Sequence, residues 1–239
     1  MKTVLITGAN KGIGFATAKK FLEAGFAVIL AGRSSEKLNS AIQKLDYKNA
    51  YPFVWDISNT DIAEQKIKEA AENFGQIDIF IDNAGIVTYH DLDGCKMLGE
   101  TEESWDTTMQ TNLKGTYFAV QKQAKYMIEN NIKGHIVIVD SLMGFTSKAD
   151  AYSISKWGIR GMIYGAAKKL APYGICINGV APGETATEIL RQKENEFVKI
   201  NSPRGYRAMP CEIANDIFYL ATSNNLIGTI INSDGGASL

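Results

Sequence analysis

The spacing of its short apolar runs constrains this chain most. TVLIT (3–7), AVILAG (27–32), YPFVWDI (51–57), IDIFIDNAG (77–85), HIVIVDS (135–141), ICINGVAP (175–182) and GTIINSDGG (228–236) recur with helix-period segments between them. Several are apolar at consecutive positions, which suits strands covered on both faces. The intervening stretches are amphipathic. NTDIAEQKIKEAAENFG opens on a capping residue, turns Ile62, Ile67 and Ala70 or Ala71 to one side and stops at Gly75. WDTTMQTNLKGTYFAVQKQAKYMIENN (105–131) predicts one long helix, and a further helix is expected near 211–221. Repeated β-α-β units of this kind predict an α/β fold: a parallel sheet with helices on both faces and right-handed crossovers. No Pro-, Gly- or Ser-rich linker and no repeat interrupts the pattern, so one domain spanning 1–239 is expected. Two loops are long, 86–103 and 183–208. In such a sheet ligands bind beyond the carboxyl ends of the strands.

Bulk composition narrows the partners. The 239 residues carry a net charge of −1, with 21% charged and 45% hydrophobic residues. There is no basic excess for nucleic acid and no acidic tail. No apolar run reaches the ~18 residues of a membrane span. The N-terminus turns polar too soon for a signal peptide. Cys95, Cys176 and Cys211 are scattered and odd in number, which predicts reduced thiols and a cytoplasmic location. His90, Asp91, Asp93 and Cys95 lack ligand spacing, so no metal is expected.

The first strand runs into TGANKGIG (7–14), followed by a helix from about Ile13 to Glu23. Its glycines stand at 8, 12 and 14, which is neither G-x-G-x-x-G nor a P-loop. A strand–glycine loop–helix unit nevertheless suits a phosphate: glycines admit main-chain N–H groups to an anion, and the helix N-terminus favours negative charge. At the end of the second strand, where a carboxylate would bind ribose hydroxyls and repel a 2′-phosphate, stands Gly32, followed by Arg33 and Ser34. A guanidinium there contributes about 1.5–3 kcal/mol per charge-assisted bond to phosphate. Lys11 adds a second positive charge, and Ser34 a hydroxyl.

Further along come DNAG (82–85), Asn112 in TNLKG, Ser141 at a strand end, Tyr152 and Lys156 in YSISK, and INGVAPG (177–183). Tyr and Lys four apart share one helix face, about 6 Å along the axis. A free phenol, with a pKa near 10, is a poor base at neutral pH; an adjacent ammonium favours its ionised form. Together with T-G-x-x-x-G-x-G, these motifs resemble the short-chain dehydrogenase/reductase family over almost the whole chain, from Thr3 to the DGG at 234–236. The resemblance implies a doubly wound, Rossmann-like seven-stranded parallel sheet that binds NAD or NADP. It makes Tyr152 the acid/base, Lys156 its partner and the holder of the nicotinamide ribose, Ser141 a donor to the substrate oxygen, and Asn112 the holder of a water on a proton path.

The resemblance also places the cofactor. Gly8, Asn10, Lys11, Gly12, Ile13 and Gly14 would surround it. Asp56 and Ile57 would meet the adenine, and Asn83, Ala84 and Gly85 would lie beside the adenine ribose. Val180, Pro182 and Gly183 would lie at the nicotinamide ring, with Thr185 and Thr187 at the carboxamide and pyrophosphate. Basic Lys11 and Arg33 are similar to the family's markers for NADP(H). Residues 184–208 resemble a substrate lid, mostly apolar but with Arg191, Arg204 and Arg207. Residues 202–239 are most similar to 3-oxoacyl-(acyl-carrier-protein) reductases and to sugar and steroid alcohol dehydrogenases, which implies a homotetramer or homodimer. The expected activity is hydride transfer between NADP(H) and a ketone or secondary alcohol of small-molecule size. A non-catalytic NADP-binding regulator is the alternative on the same fold. Two departures stand out: Ser141 precedes Tyr152 by 11 residues where about 13 is usual, and Asp140 stands where a small residue is usual. Ser147 and Ser153 are substitutes for Ser141.

Overall fold

The computed structural model describes residues 1–88, 95–146, 148–188 and 196–239. Seven strands form one parallel sheet: β1 (Thr3–Thr7), β2 (Ala27–Gly32), β3 (Ala50–Val54), β4 (Ile77–Asp82), β5 (His135–Val139), β6 (Cys176–Pro182) and β7 (Ile230–Ser233). Their order is β3-β2-β1-β4-β5-β6-β7. The order reverses between β1 and β4, which opens a crevice at their carboxyl ends. The helices are α1 (Gly12–Glu23), α2 (Ser35–Leu45), α3 (Ala63–Phe74), a single turn α4 (Lys96–Gly99), α5 (Glu102–Met109), α6 (Thr116–Glu129), α7 (Ala151–Leu170) and α8 (Pro210–Thr222).

The consecutive apolar residues of the strands divide between two cores. Val4, Ile6, Val28, Leu30, Ile79 and Ile81 point to one face, where Phe21 of α1, Leu38 of α2 and Ile213 and Ile217 of α8 cover them. Leu5, Ile29, Phe80, Ile136 and Ile138 point to the other, beneath Ile67 of α3, Met127 of α6 and Ile159 and Ile163 of α7. This two-sided burial explains why the strands do not alternate polar and apolar.

Several expected strands end sooner than their apolar pattern. β3 stops at Val54, β4 at Asp82, β5 at Val139 and β7 at Ser233. Past β4 the chain leaves the ladder for a side chain: the Asn83 and Ala84 N–H groups both donate to Thr7 Oγ1 at 3.0 Å. Past β5 the Ser141 hydroxyl accepts from the Met143 N–H and turns the chain into a short 3₁₀ segment, Leu142–Phe145. The long helix expected at 105–131 is also divided. A six-residue π turn, Gln110–Gly115, separates α5 from α6. A Cβ at Gly115 would stand 2.8 Å from the Ile57 carbonyl, so the widened turn passes hard against the loop after β3. Such π turns gather at functional sites.

Candidate active site

The glycine loop is built by Thr7, whose hydroxyl the sequence analysis left out of the site. Thr7 Oγ1 donates to Asp82 Oδ1 at 2.6 Å while accepting from Asn83 and Ala84. Asn83 Nδ2 returns the link by donating to the carbonyls of Thr7 and Gly8 at 3.0 and 3.1 Å. The loop after β1 and the DNAG turn after β4 are thus one hydrogen-bonded unit. The T of T-G-x-x-x-G-x-G was the available signal. Lys11 is the N-cap of α1, with no side-chain cap hydrogen bond, and no acid stands in the first turn, so the helix N-terminus brings the positive end of its dipole to the crevice.

Asp82 is 2% exposed, and burial pushes its carboxyl above the usual range against the opposing pull of Thr7, Thr116 and Lys156. A carboxyl raised in the folded state contributes least stability once it must ionise, so this contribution falls as pH rises from about 4 through the folded midpoint. Asp82→Asn keeps an acceptor for Thr7 and removes the ionisation. It is expected to raise Tm at pH 8 by about 2–6 °C, for a gain of about 1–2 kcal/mol, with the difference narrowing at pH 5. Thermal melts at the two pH values check it; equal Tm differences at both would contradict the buried-charge account.

The adenosine end is set by β2 and β3. Gly32 leaves room where a Cβ would meet Asn10 Oδ1 at 3.5 Å. Arg33 is exposed, and no carboxylate pairs with it among the described residues. Ser34 caps α2, accepting from the Lys37 N–H at 3.3 Å, which leaves its own hydroxyl proton to donate. Asp56 is partly spent on its own turn, with Oδ1 accepting from the Ser58 N–H and hydroxyl at 3.0 and 2.7 Å. Ile57 is buried beside it. Lys11, expected to point at the same phosphate as Arg33, instead pairs with Glu188 across the loop at 2.7 Å. Lys11 holds the Glu188 carboxyl below the usual carboxylate range. Both side chains are about half exposed, so the pair is worth little and yields readily to a stronger anion.

The strand ends β4, β5 and β6 carry the other half. Lys156 is buried on α7, and its ammonium donates to the Val139 carbonyl at 2.8 Å. It lies 5.7 Å from the centre of the Tyr152 ring, and a Cβ on Gly85 would stand 4.0 Å from it. The one-turn spacing therefore does what it predicted: phenol and ammonium share one face, at the mouth between β4 and β5. Asn112 sits in the π turn. It accepts from the Ile86 N–H at 2.9 Å and donates to the Ile86 carbonyl at 2.8 Å. Its side chain thus clamps the strand end beside Gly85, and its Nδ2 also donates to Ser155 Oγ at 3.4 Å.

Ser141 keeps its proton for donation, since its oxygen accepts from Met143. Ser153 is not a substitute: it is fully buried and donates to Asp150, the N-cap of α7. Ser147 lies outside the described residues, as do His90, Asp91, Asp93, Ile189, Leu190 and Arg191. A second carboxylate steadies α7. Glu100 accepts from the Ser104 hydroxyl with one oxygen and from the Ala151 N–H, at 3.0 Å, with the other. The returning end of the loop after β4 is thereby fastened to the helix start that carries Tyr152.

Beyond β6, the Gly183 N–H donates to Ser233 of β7, while Pro182 ends the strand. Thr185 and Thr187 are buried, each donating to a nearby main-chain carbonyl. The Thr187 methyl would lie 3.3 Å from a Cβ on Gly12, so this segment closes directly over the glycine loop. Arg204 pairs with Glu212 and stacks on Tyr206, and Arg207 pairs with Glu184 at 2.8 Å. Two of the three lid arginines thus face carboxylates of this chain. Among the described residues no His, Cys, Asp and Glu cluster could hold a metal ion, and no helix is long and apolar enough to cross a membrane.

The comparisons with known proteins agree with this geometry. A 3-oxoacyl-(acyl-carrier-protein) reductase of Thermotoga maritima is 34% identical, over 98% of this chain and 97% of its own. An L-rhamnose 1-dehydrogenase (NAD(P)(+)) of Azotobacter vinelandii is 30% identical, over 98% and 96%. The solved structure of ElxO with NADP bound superposes with a TM-score of 0.87 at 29% identity, covering 99% of this chain and 98% of that one. The family model described as short chain dehydrogenase matches residues 2–197. On the glycine loop, the seven-stranded sheet and the Tyr–Lys face of α7, this chain belongs to the short-chain dehydrogenase family.

Proposed function

We propose that the protein is an NADP(H)-dependent oxidoreductase acting on a ketone or secondary alcohol, with Tyr152 as the acid/base. The observation that carries this reading is the meeting of Tyr152 and Lys156 on one face of α7, with Lys156 anchored to Val139 and bordered by Gly85. The cradle suits a dinucleotide: the N-terminus of α1, with no acid in its first turn, favours an anion, and Gly32 stands beside an Arg33 that no described carboxylate pairs.

A bound nicotinamide supplies or receives the hydride; the protein's own groups handle the proton and the orientation. In reduction, Tyr152 donates its phenolic proton to the oxygen as charge develops there. Lys156, held as an ammonium, stabilises the phenolate that remains and binds the ribose hydroxyls. Ser141 donates to the same substrate oxygen. Asn112 acts at one remove by fixing Ile86 and the strand end beside Lys156. Asp56, Ile57, Asn83 and Ala84 would hold the adenosine half, and Pro182, Gly183, Thr185 and Thr187 would hold the nicotinamide half. We assign residues 1–239 to a single domain with a lid at 184–208, assembling as a homotetramer or homodimer in the cytoplasm.

The deciding experiment is consumption of NADPH and NADH with a panel of acetoacetyl thioesters, keto-sugars, ketosteroids and quinones. Higher kcat/KM with NADPH is expected. Arg33→Ala should lower the NADPH value about 10- to 100-fold and leave NADH within about threefold. Higher kcat/KM with NADH in the parent protein refutes the cofactor choice, and tight NADPH binding without turnover of any member refutes the enzyme reading.

A further inference from the structure

Asp140 departs from its family's pattern, and the structure gives the departure a setting. Its side chain is completely buried at the end of β5, directly between Val139, whose carbonyl holds Lys156, and Ser141. Its Oδ2 lies 3.3 Å from Arg160 Nη2, one helical turn beyond Lys156 on α7. The Arg160 guanidinium stacks on Phe145 at 4.3 Å, and Phe145 ends the short segment that Ser141 opens. The lid over the carboxylate is Gly144: a Cβ there would stand 2.8 and 3.0 Å from the two carboxylate oxygens and 3.1 Å from the Lys156 carbonyl. From β6, the Val180 carbonyl accepts the Asp140 N–H at 2.7 Å. The charged groups acting on Asp140 are Lys156 and Arg160, both from α7. Lys156 also acts on buried Asp82, from β4.

We propose that Asp140 and Arg160 form a buried positioning pair that fixes the Ser141–Phe145 turn against α7 and so aims Ser141 at the oxygen that Tyr152 serves. The pair ties both ends of the turn to the helix that carries Tyr152 and Lys156. It acts beside a second tie to the same helix, the Trp157 indole N–H, which donates to the Thr146 carbonyl at 3.1 Å. Burial raises the Asp140 carboxyl to about 6, against the opposing pull of Lys156 and Arg160. The pair is therefore charged at neutral pH and loses its anion as pH falls through about 6. This inference rests on the oxidoreductase reading for its catalytic part and on packing alone for its structural part.

The test compares the parent protein with Asp140→Asn, Arg160→Met and Arg160→Lys in two measurements. The first is kcat and KM for ketone reduction and NADPH affinity from pH 5 to 8; the second is amide hydrogen exchange of residues 141–146. The parent should show a fall in kcat centred near pH 6. Asp140→Asn should have kcat about tenfold lower at pH 7.5, no step near pH 6, and NADPH affinity within about threefold. Exchange at 141–146 should be faster in Asp140→Asn and Arg160→Met and close to the parent in Arg160→Lys. Should Asp140→Asn fail to fold, Arg160→Met, altered at the partly exposed end of the pair, reads the same two quantities. Unchanged exchange, or faster exchange with kcat and its pH step intact, overturns the proposal. Faster exchange in Asp140→Asn and Arg160→Met, together with a parent protein that turns over no ketone, keeps the positioning pair and refutes the oxidoreductase reading instead.

Discussion

Tyr152→Phe is expected to lower kcat for ketone reduction at least about a thousandfold while NADPH affinity stays within about threefold. The ring remains, so its packing beside the Lys156 ammonium at 5.7 Å survives. Only the phenolic oxygen and its proton are lost. That oxygen has no hydrogen-bond partner among the described residues, so its removal strands no buried donor and costs little stability. A fall in kcat without a fall in Tm or cofactor affinity isolates a transition-state role. Stopped-flow reduction and calorimetric titration with NADPH measure the two quantities; turnover within tenfold of the parent would remove Tyr152 from the chemistry.

The second large effect is on the loop itself. Gly14→Ala should destabilise the fold by about 2–4 kcal/mol and weaken NADPH binding at least about a hundredfold. Its Cβ would stand 2.4 Å from the Gly8 carbonyl, 2.5 Å from Asn83 Nδ2 and 3.0 Å from Ala9 Cα. None of these can yield cheaply. Asn83 is held by two main-chain carbonyls, and the other two contacts are backbone. The first turn of α1 must therefore lift away, taking with it the amides that face an anion. Gly161→Ala in α7 is the control, since nothing lies within 4 Å of its added methyl and the helix gains about 0.5–1 kcal/mol. Equal melting temperatures for the two variants would contradict the close-approach argument.

The sheet and the two covered faces were legible because the strand residues are apolar at every position, not every second one. The strand ends were less so. In IDIFIDNAG and HIVIVDS the apolar pattern continues to the residues that do the work, but a hydroxyl of Thr7 and a turn at Ser141 take over the hydrogen bonding. Sequence period also cannot show a single wide turn inside a helix, which is where Asn112 lies. The shared face of Tyr152 and Lys156 was legible because an i, i+4 pair depends only on helix geometry. The Lys11–Glu188 pair was not legible, because an exposed lysine takes whichever carboxylate is near. The Asp140–Arg160 pair joins residues twenty positions apart, across a turn that no local pattern reports.

Glu100 has a consequence for changing what the protein acts on. Its two oxygens anchor the far end of the loop after β4 to the start of α7, and Asn112 anchors the near end through Ile86. On the oxidoreductase reading, loops of other lengths and compositions grafted between Thr88 and Glu100 are expected to change substrate choice with the phenol and ammonium left in place, which kcat/KM over the ketone panel measures.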